Sequence, residues 1–298
     1  MKNKILVVGS ANTDIVIHSP KLPALGETLV GHNFQINAGG KGLNQAVAIA
    51  KLGGDVTFLG SLGEDENGQT LLRVLKENGV AFQGILGKDH PTGVAMITVV
   101  DGNNFILLNA GANEKLSPEI ISEHTELIQS SDFCVMQLEI PPETVEMVCD
   151  IARAGNTKIV LNPAPYKALP KSILASVDYL IPNEHEAFDL TGIYPDNEEN
   201  CRKAIERLKE MGAKNVIITL GEHGCVYSAG SDITFCPARK VTAVDTTSAG
   251  DCFIGAFVAK LSKGNTVEDA IAFATKAAAI AVTREGASRS IPFAHEVE

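Results

Sequence analysis

Short apolar runs of strand length alternate along most of this chain with longer stretches in which apolar residues recur every three or four positions. Ile5-Leu6-Val7-Val8-Gly9 is uniformly apolar, as expected of a parallel strand buried on both faces, and Asn12-Thr13-Asp14 stands at its carboxyl end. Open α/β sheets bind ligands at that end. The next helix does not follow at once. Residues 15–18 and 27–30 are strand-like and separated by Pro20, Pro23 and Gly26. A second pair, 93–100 and 104–109, is split by Asp101-Gly102-Asn103, and Asp-Gly is a strong hairpin signal. The two pairs predict a small β lid built from about 12–37 and 93–110. Between them a helical stripe over 42–51 ends at Gly53-Gly54, followed by a strand at 56–60 and a helix at 68–77.

Alternation then resumes: helix 118–129, strand 133–138, helix 142–154, strand 158–162, strand 179–181, helix 199–211, strand 215–219. A last strand-like run at 240–244 leads into a helix directly behind Asp251. The final helix opens on Thr266-Val267-Glu268-Asp269, a variant capping box, and runs to about 283. The pattern predicts a three-layer α/β/α sandwich on a mostly parallel sheet, plus the lid, in one domain over 1–298.

A hydrophobic content of 45% in 298 residues is ample for such a core. Twenty-five basic against 36 acidic residues disfavour nucleic acid and anionic membranes as partners, so an anionic ligand must be held by local groups. No apolar run reaches signal-peptide or membrane-spanning length, and a cytoplasmic location is expected. The six cysteines form no C-x-x-C pair and read as reduced core residues, with a reactive thiol conceivable only at Cys252. The histidines form no H-E-x-x-H motif, which disfavours a transition-metal site.

The stretch Asp245-Thr246-Thr247-Ser248-Ala249-Gly250-Asp251 carries the sharpest chemistry. A helix N-terminus offers unpaired N–H groups and positive potential to an anion, small residues allow close approach, and a carboxylate stands beside them. Asp251 as a plain helix cap is the competing reading. A base beside an anion hole suits deprotonation of a hydroxyl that attacks a phosphoryl group. A Walker loop and a G-x-G-x-x-G turn are both missing from the sequence.

This turn resembles the D-T-x-G/A-A-G-D signature of the ribokinase-like, or PfkB, sugar kinases. The resemblance extends to Gly39-Gly40-Lys41-Gly42-Leu43-Asn44-Gln45-Ala46, Asn162-Pro163-Ala164-Pro165, Pro182-Asn183-Glu184-His185-Glu186-Ala187 and Thr219-Leu220-Gly221. Ser248 departs from the family, where Gly or Ala is usual, and its hydroxymethyl group is expected to narrow the turn. The resemblance implies a ribokinase-like fold and ATP-dependent phosphorylation of a sugar, D-ribose at its 5-hydroxyl, by a homodimer joined through its lids. Deoxyribose, fructose and nucleosides are the alternative acceptors. A catalytically silent sugar-binding protein is the alternative of another class.

Asn12, Asp14, Gly40, Lys41, Asn44 and Glu139 are short polar groups suited to a polyol. The resemblance assigns sugar binding to them together with Thr13, Gly42 and Leu43. It implies that Asp251 is the base and that Ala249 and Gly250 form the anion hole. It places nucleotide at Asn183, Thr219, Leu220, Gly221, Glu222, His223, Gly224, Gly250, Asp251 and Thr275, with Glu186 ordering Mg²⁺ through water. Asp245 lies too close to the phosphate site to stay uncompensated. Carbonyls of Thr247, Ala281, Arg284, Gly286 and Ser290 are available nearby, and the resemblance implies K⁺ there.

Overall fold

Strand β1 (Lys4–Val8) alternates its side chains between two cores, Ile5 and Val7 into one and Leu6 and Val8 into the other. The computed structural model describes residues 3–101, 103–230 and 232–298. Strand β2 (Asn12–His18) leaves the first sheet and pairs antiparallel with β3 (His32–Gly39). The second lid strand therefore lies at 32–39 and not at 27–30. The register explains the shift: Gly39 must sit opposite Asn12 to deliver the chain to α1 (Lys41–Lys51), and pairing back from there ends at His18↔His32. Val30 is left 91% exposed outside any strand.

After β4 (Asp55–Gly63) comes α2 (Glu66–Glu77), whose start is capped by Asp65 accepting from the Gly68 N–H at 2.7 Å. Strand β5 (Ala81–Gly87) was not anticipated, because an edge strand of half-exposed residues leaves only a weak pattern. The hairpin β6 (Gly93–Val100) and β7 (Asn103–Asn109) forms as expected, although Gly102 of its turn lies outside the described residues. The small sheet runs β3-β2-β6-β7, with β2 and β6 parallel.

The helix expected over 118–129 is broken at His124 into α3 (Pro118–Glu123) and α4 (Thr125–Gln129). There follow β8 (Phe133–Met136), α5 (Pro142–Gly155), β9 (Lys158–Leu161), α6 (Lys171–Ser176), β10 (Tyr179–Leu180), α7 (Glu184–Thr191), α8 (Glu198–Glu210), β11 (Asn215–Thr219), β12 (Cys225–Ala229) and β13 (Asp232–Cys236). The large sheet runs β13-β12-β11-β10-β9-β8-β1-β4-β5, parallel from β11 to β5, with β12 and β13 antiparallel at one edge. Residues 240–244 form no strand. β13 already occupies that edge, and Val241 and Val244 stay exposed.

The chain closes with α9 (Ala249–Leu261), α10 (Val267–Ala281), α11 (Ala287–Ser290) and α12 (Ala294–Val297). Thr266 caps α10 as expected, accepting from the Asp269 N–H at 3.1 Å. Helices α1, α9 and α10 cover one face of the large sheet, and α5 and α8 cover the other. Among the described residues no helix is long and apolar enough to cross a membrane. All six cysteines are free. Cys252 is wholly buried, and burial pushes its thiol up to about 12, assisted by the Asp251 charge, which argues against a reactive thiol there.

Candidate active site

At the carboxyl end of β1 the chain turns into β2, and Gly40 crosses that turn so closely that a Cβ there would meet the Ala11 Cα at 2.7 Å. Gly40 also has φ 88°, a conformation that favours glycine. These constraints aim the first turn of α1 at the start of α9. Asp251 is not ahead of α9, as expected, but inside its first turn. Ser248 is the N-cap, in the left-handed conformation with φ 60°. Its hydroxyl accepts from Asn44 Nδ2 at 2.9 Å, so the departing side chain is held on the α1 side of the turn.

Asp251 is 8% exposed and works as no cap: its Oδ1 accepts from Gln45 Nε2 at 2.9 Å and its Oδ2 from Asn44 Nδ2 at 3.2 Å. Gln45 is itself fixed, accepting from Gln137 Nε2 at 2.6 Å and donating to Asn162 Oδ1 at 3.3 Å. Burial raises the pKa of Asp251, while Lys41 and the two amides oppose that rise. On Lys41 burial works to lower the pKa, but the charges of Asp251, Glu139 and Glu186 outweigh it, so the ammonium is retained. At this helix end the Ala249 N–H donates to Thr246 O at 3.2 Å. The N–H groups of Gly250 and Asp251 have no acceptor among the described residues. A Cβ on Gly250 would meet nothing within 4 Å, so this backbone can be approached closely.

Asp14 and Glu139 face the same space. Burial, then the charges of Glu139 and Asp251, raise the Asp14 carboxyl from 3.8 to about 7. Glu139 Oε2 accepts from Ser10 Oγ at 2.5 Å and from the Lys41 N–H at 3.1 Å, which ties the end of one strand to the start of α1. Asn12 is oriented by Asn113, whose Nδ2 donates to Asn12 Oδ1 at 2.8 Å. Thr13 is a correction. Alternation along β2 turns it to the opposite face, where it lines a separate cavity with Ile36, Ala38, Lys51 and Leu71. Leu43 is wholly buried in the core and Gly42 packs against Ser10, so neither presents a side chain to a ligand.

The nucleotide candidates converge from three directions. Asn183 caps α7 and bridges to Thr219 at the end of β11. The turn Leu220, Gly221, Glu222, His223, Gly224 follows directly. Thr275 on α10 reaches the hairpin through Cys236, its Oγ1 3.7 Å from the sulfur. Glu186 completes a capping box, accepting from the Asn183 N–H at 2.9 Å and from Asn183 Nδ2 at 3.0 Å. Burial raises its pKa.

Of the cation candidates Asp245, Thr247 and Gly286 are brought together, and Asp245 is not uncompensated. Its carboxylate accepts from the Thr247 N–H at 2.8 Å and the Gly286 N–H at 3.0 Å, bonds that outweigh burial and lower its pKa. Ala281 lies within α10 and its carbonyl already accepts from the Arg284 N–H, while Ser290 ends the short helix α11.

Residues 2–294 match the model of the pfkB family carbohydrate kinases. The chain belongs to that family. The kinase is 40% identical over 298 residues to a ribokinase of Haemophilus influenzae, covering 99% of this chain and 97% of that protein. It is 36% identical to a deoxyribokinase of Salmonella typhi, with 97% and 95% coverage. A solved structure of Arabidopsis thaliana ribokinase complexed with ribose and ATP superposes with a TM-score of 0.92 at 32% identity, covering 100% and 98% of the two chains.

Sequence reading assigned no role in this kinase to Ser10, Gln45, Asn113, Gln137 or Asn162. Gln45 and Asn162 stood inside quoted motifs, where an uncharged amide in a buried segment was the available signal. Gln137 and Asn113 carried none, because their partners lie 92 and 102 residues away.

Proposed function

We propose that this kinase transfers the γ-phosphoryl group of ATP to the 5-hydroxyl of D-ribose, giving ribose 5-phosphate and ADP. The carrying observation is the Asp251 carboxylate, held by two side-chain amides, beside Lys41 and one residue from unengaged backbone N–H groups. Asp251 takes the proton of the attacking hydroxyl, and its raised pKa brings it nearer the working pH of a general base. The Gly250 and Asp251 N–H groups face the charge on the transferred oxygens. Asn12, Asp14, Lys41, Asn44 and Glu139 bind the sugar, and Asn183, the 219–224 turn and Thr275 bind the nucleotide. The chain acts as one unit, with the small sheet as a lid that excludes water. A panel of ribose, 2-deoxyribose, fructose and adenosine with ATP, scored by product mass, tests the reading. Fastest turnover with ribose is expected, and turnover with none of them would overturn it.

Glu139→Ala should raise KM for ribose about tenfold while kcat falls less, the pattern of a lost ground-state contact. An unchanged KM in steady-state assays would make Glu139 structural.

Both Glu186 oxygens already accept hydrogen bonds, which suits Mg²⁺ bound through its own water shell. The ion would supply charge neutralisation at the phosphates. The loops of Asp245, Thr247 and Gly286, with Ser290 at the end of α11, offer oxygen donors to K⁺, which would brace the turn carrying the N–H groups. Exchange of K⁺ for Na⁺ at constant ionic strength should lower kcat severalfold, and an unchanged rate would remove the site.

One face of the small sheet exposes Phe34, Ile36, Met96 and Leu107, with Leu107 at 75%. A contiguous apolar face of this kind marks a protein contact. The kinase is a homodimer joined through these faces, in the cytoplasm. Sedimentation should give a dimer at micromolar concentration and a monomer for Leu107→Glu; a monomeric native chain would refute the contact.

A further inference from the structure

The antiparallel hairpin at the edge of the large sheet sets Cys225 directly opposite Cys236. Residues so paired have Cα atoms about 4.5–5.5 Å apart, inside the roughly 4.4–6.8 Å that a disulfide spans. Both thiols are free, Cys225 buried and Cys236 partly accessible. Neither takes part in the chemistry above, yet the pair is built into the wall assigned to nucleotide. Cys225 directly follows Gly224, and a Cβ on Gly224 would lie 2.1 Å from the Cys236 carbonyl oxygen. From the other side, the Cys236 sulfur rests 3.7 Å from the hydroxyl of Thr275.

We propose that Cys225 and Cys236 form a reversible disulfide under peroxide and that the bond weakens ATP binding. The accessible Cys236 thiolate attacks one peroxide oxygen, breaking the O–O bond. It becomes a sulfenic acid, and the other oxygen leaves as water after taking up a proton. The Cys225 thiol then attacks the sulfenic sulfur, forming the S–S bond and releasing the second water. Two sulfurs lose two electrons in all, and one peroxide becomes two waters. The division of labour matches the surroundings. The hydrogen bond from Cys225 holds the Cys236 thiol down to about 6 against burial, whereas that same pairing and then burial raise Cys225. Closing the bond draws the Cys236 sulfur toward Cys225 and off Thr275, and it shifts the strand packed on Gly224. The affinity effect rests on the nucleotide reading above; the cross-link does not.

The test treats the full-length reduced kinase with hydrogen peroxide, maps disulfides by peptide mass, and measures ATP affinity by calorimetry before and after oxidation and again after dithiothreitol. The expected result is a peptide cross-linked between positions 225 and 236, an ATP Kd raised about tenfold or more, and full recovery on reduction. Cys236→Ser, which keeps a hydroxyl against Thr275, should give an ATP Kd that peroxide does not change. Cys225→Ala should instead accumulate a sulfenic acid at Cys236 that dimedone traps. Absence of the cross-link in the native chain would overturn the proposal, as would a cross-link that leaves Kd unchanged. Reduced protein that binds no ATP while the cross-link forms would overturn the nucleotide reading instead.

Discussion

Asp251→Asn is expected to cut kcat roughly a thousandfold, within the range that general-base catalysis contributes, while ribose and ATP still bind. Asparagine has nearly the same shape: its oxygen can still accept from Gln45, and its Nδ2 can donate to the Asn44 Oδ1, which lacks a partner, once that amide turns over, so the turn of α9 and the Gly250 N–H stay in place. What disappears is the acceptor for the hydroxyl proton. Rapid-quench turnover beside calorimetric binding separates the two effects. Turnover within tenfold of the native chain would refute the assignment of the base. Gln45→Leu should produce a milder loss and let the Asp251 carboxylate turn, because the amide that links Gln137, Asn162 and Asp251 would be gone.

The second large effect is on stability. Asp14→Asn should stabilise the ligand-free kinase at pH 8 by up to roughly 4 kcal/mol, given about 1.4 kcal/mol per pH unit between 3.8 and about 7. A carboxyl with a raised native pKa favours the fold fully below its unfolded value, and that contribution is lost as pH rises through the native one. Below about pH 4 Asp14 is protonated in both states and the substitution should change little. Between pH 4 and 7 the unfolded chain ionises first, and the native chain loses ground until both forms are charged. Asparagine never ionises, so the gain grows across that window and levels off above it. Denaturant titrations at pH 4.5 and pH 8 measure the difference. Equal stability changes at the two pH values, or destabilisation at pH 8, would contradict it. The same variant should bind ribose more weakly, so a carboxylate that burdens the empty fold serves the sugar.

Much of this was legible in order along the chain. The uninterrupted run Ile5 to Val8 announced a strand covered on both faces, and Gly39-Gly40-Lys41 with Asp245 to Asp251 marked the two turns that meet at the site. Local signals sufficed there because a buried strand and a glycine-rich helix start each constrain residue type without reference to distant partners. The lid pairing, the edge strands β5, β12 and β13, and the failure of 240–244 to form a strand were not legible. Each depends on which sheet edge is vacant and on the register of a neighbour far off in sequence.

The site divides in the same way. Sequence by itself determined that a carboxylate, a lysine and small residues would attend a helix N-terminus, since those residue types are the chemistry. Only the tertiary structure decided that Asp251 sits within the first turn of α9, that Ala249 spends its N–H on Thr246 while Gly250 keeps its own, and that Thr13 faces away from Asp14. It also set Cys225 against Cys236 and made the neutral amides of Gln45, Gln137 and Asn162 the frame of the base. The physical reason is that a hydrogen bond or a facing pair is fixed by direction and distance in space, and residues about a hundred positions apart carry no local trace of either.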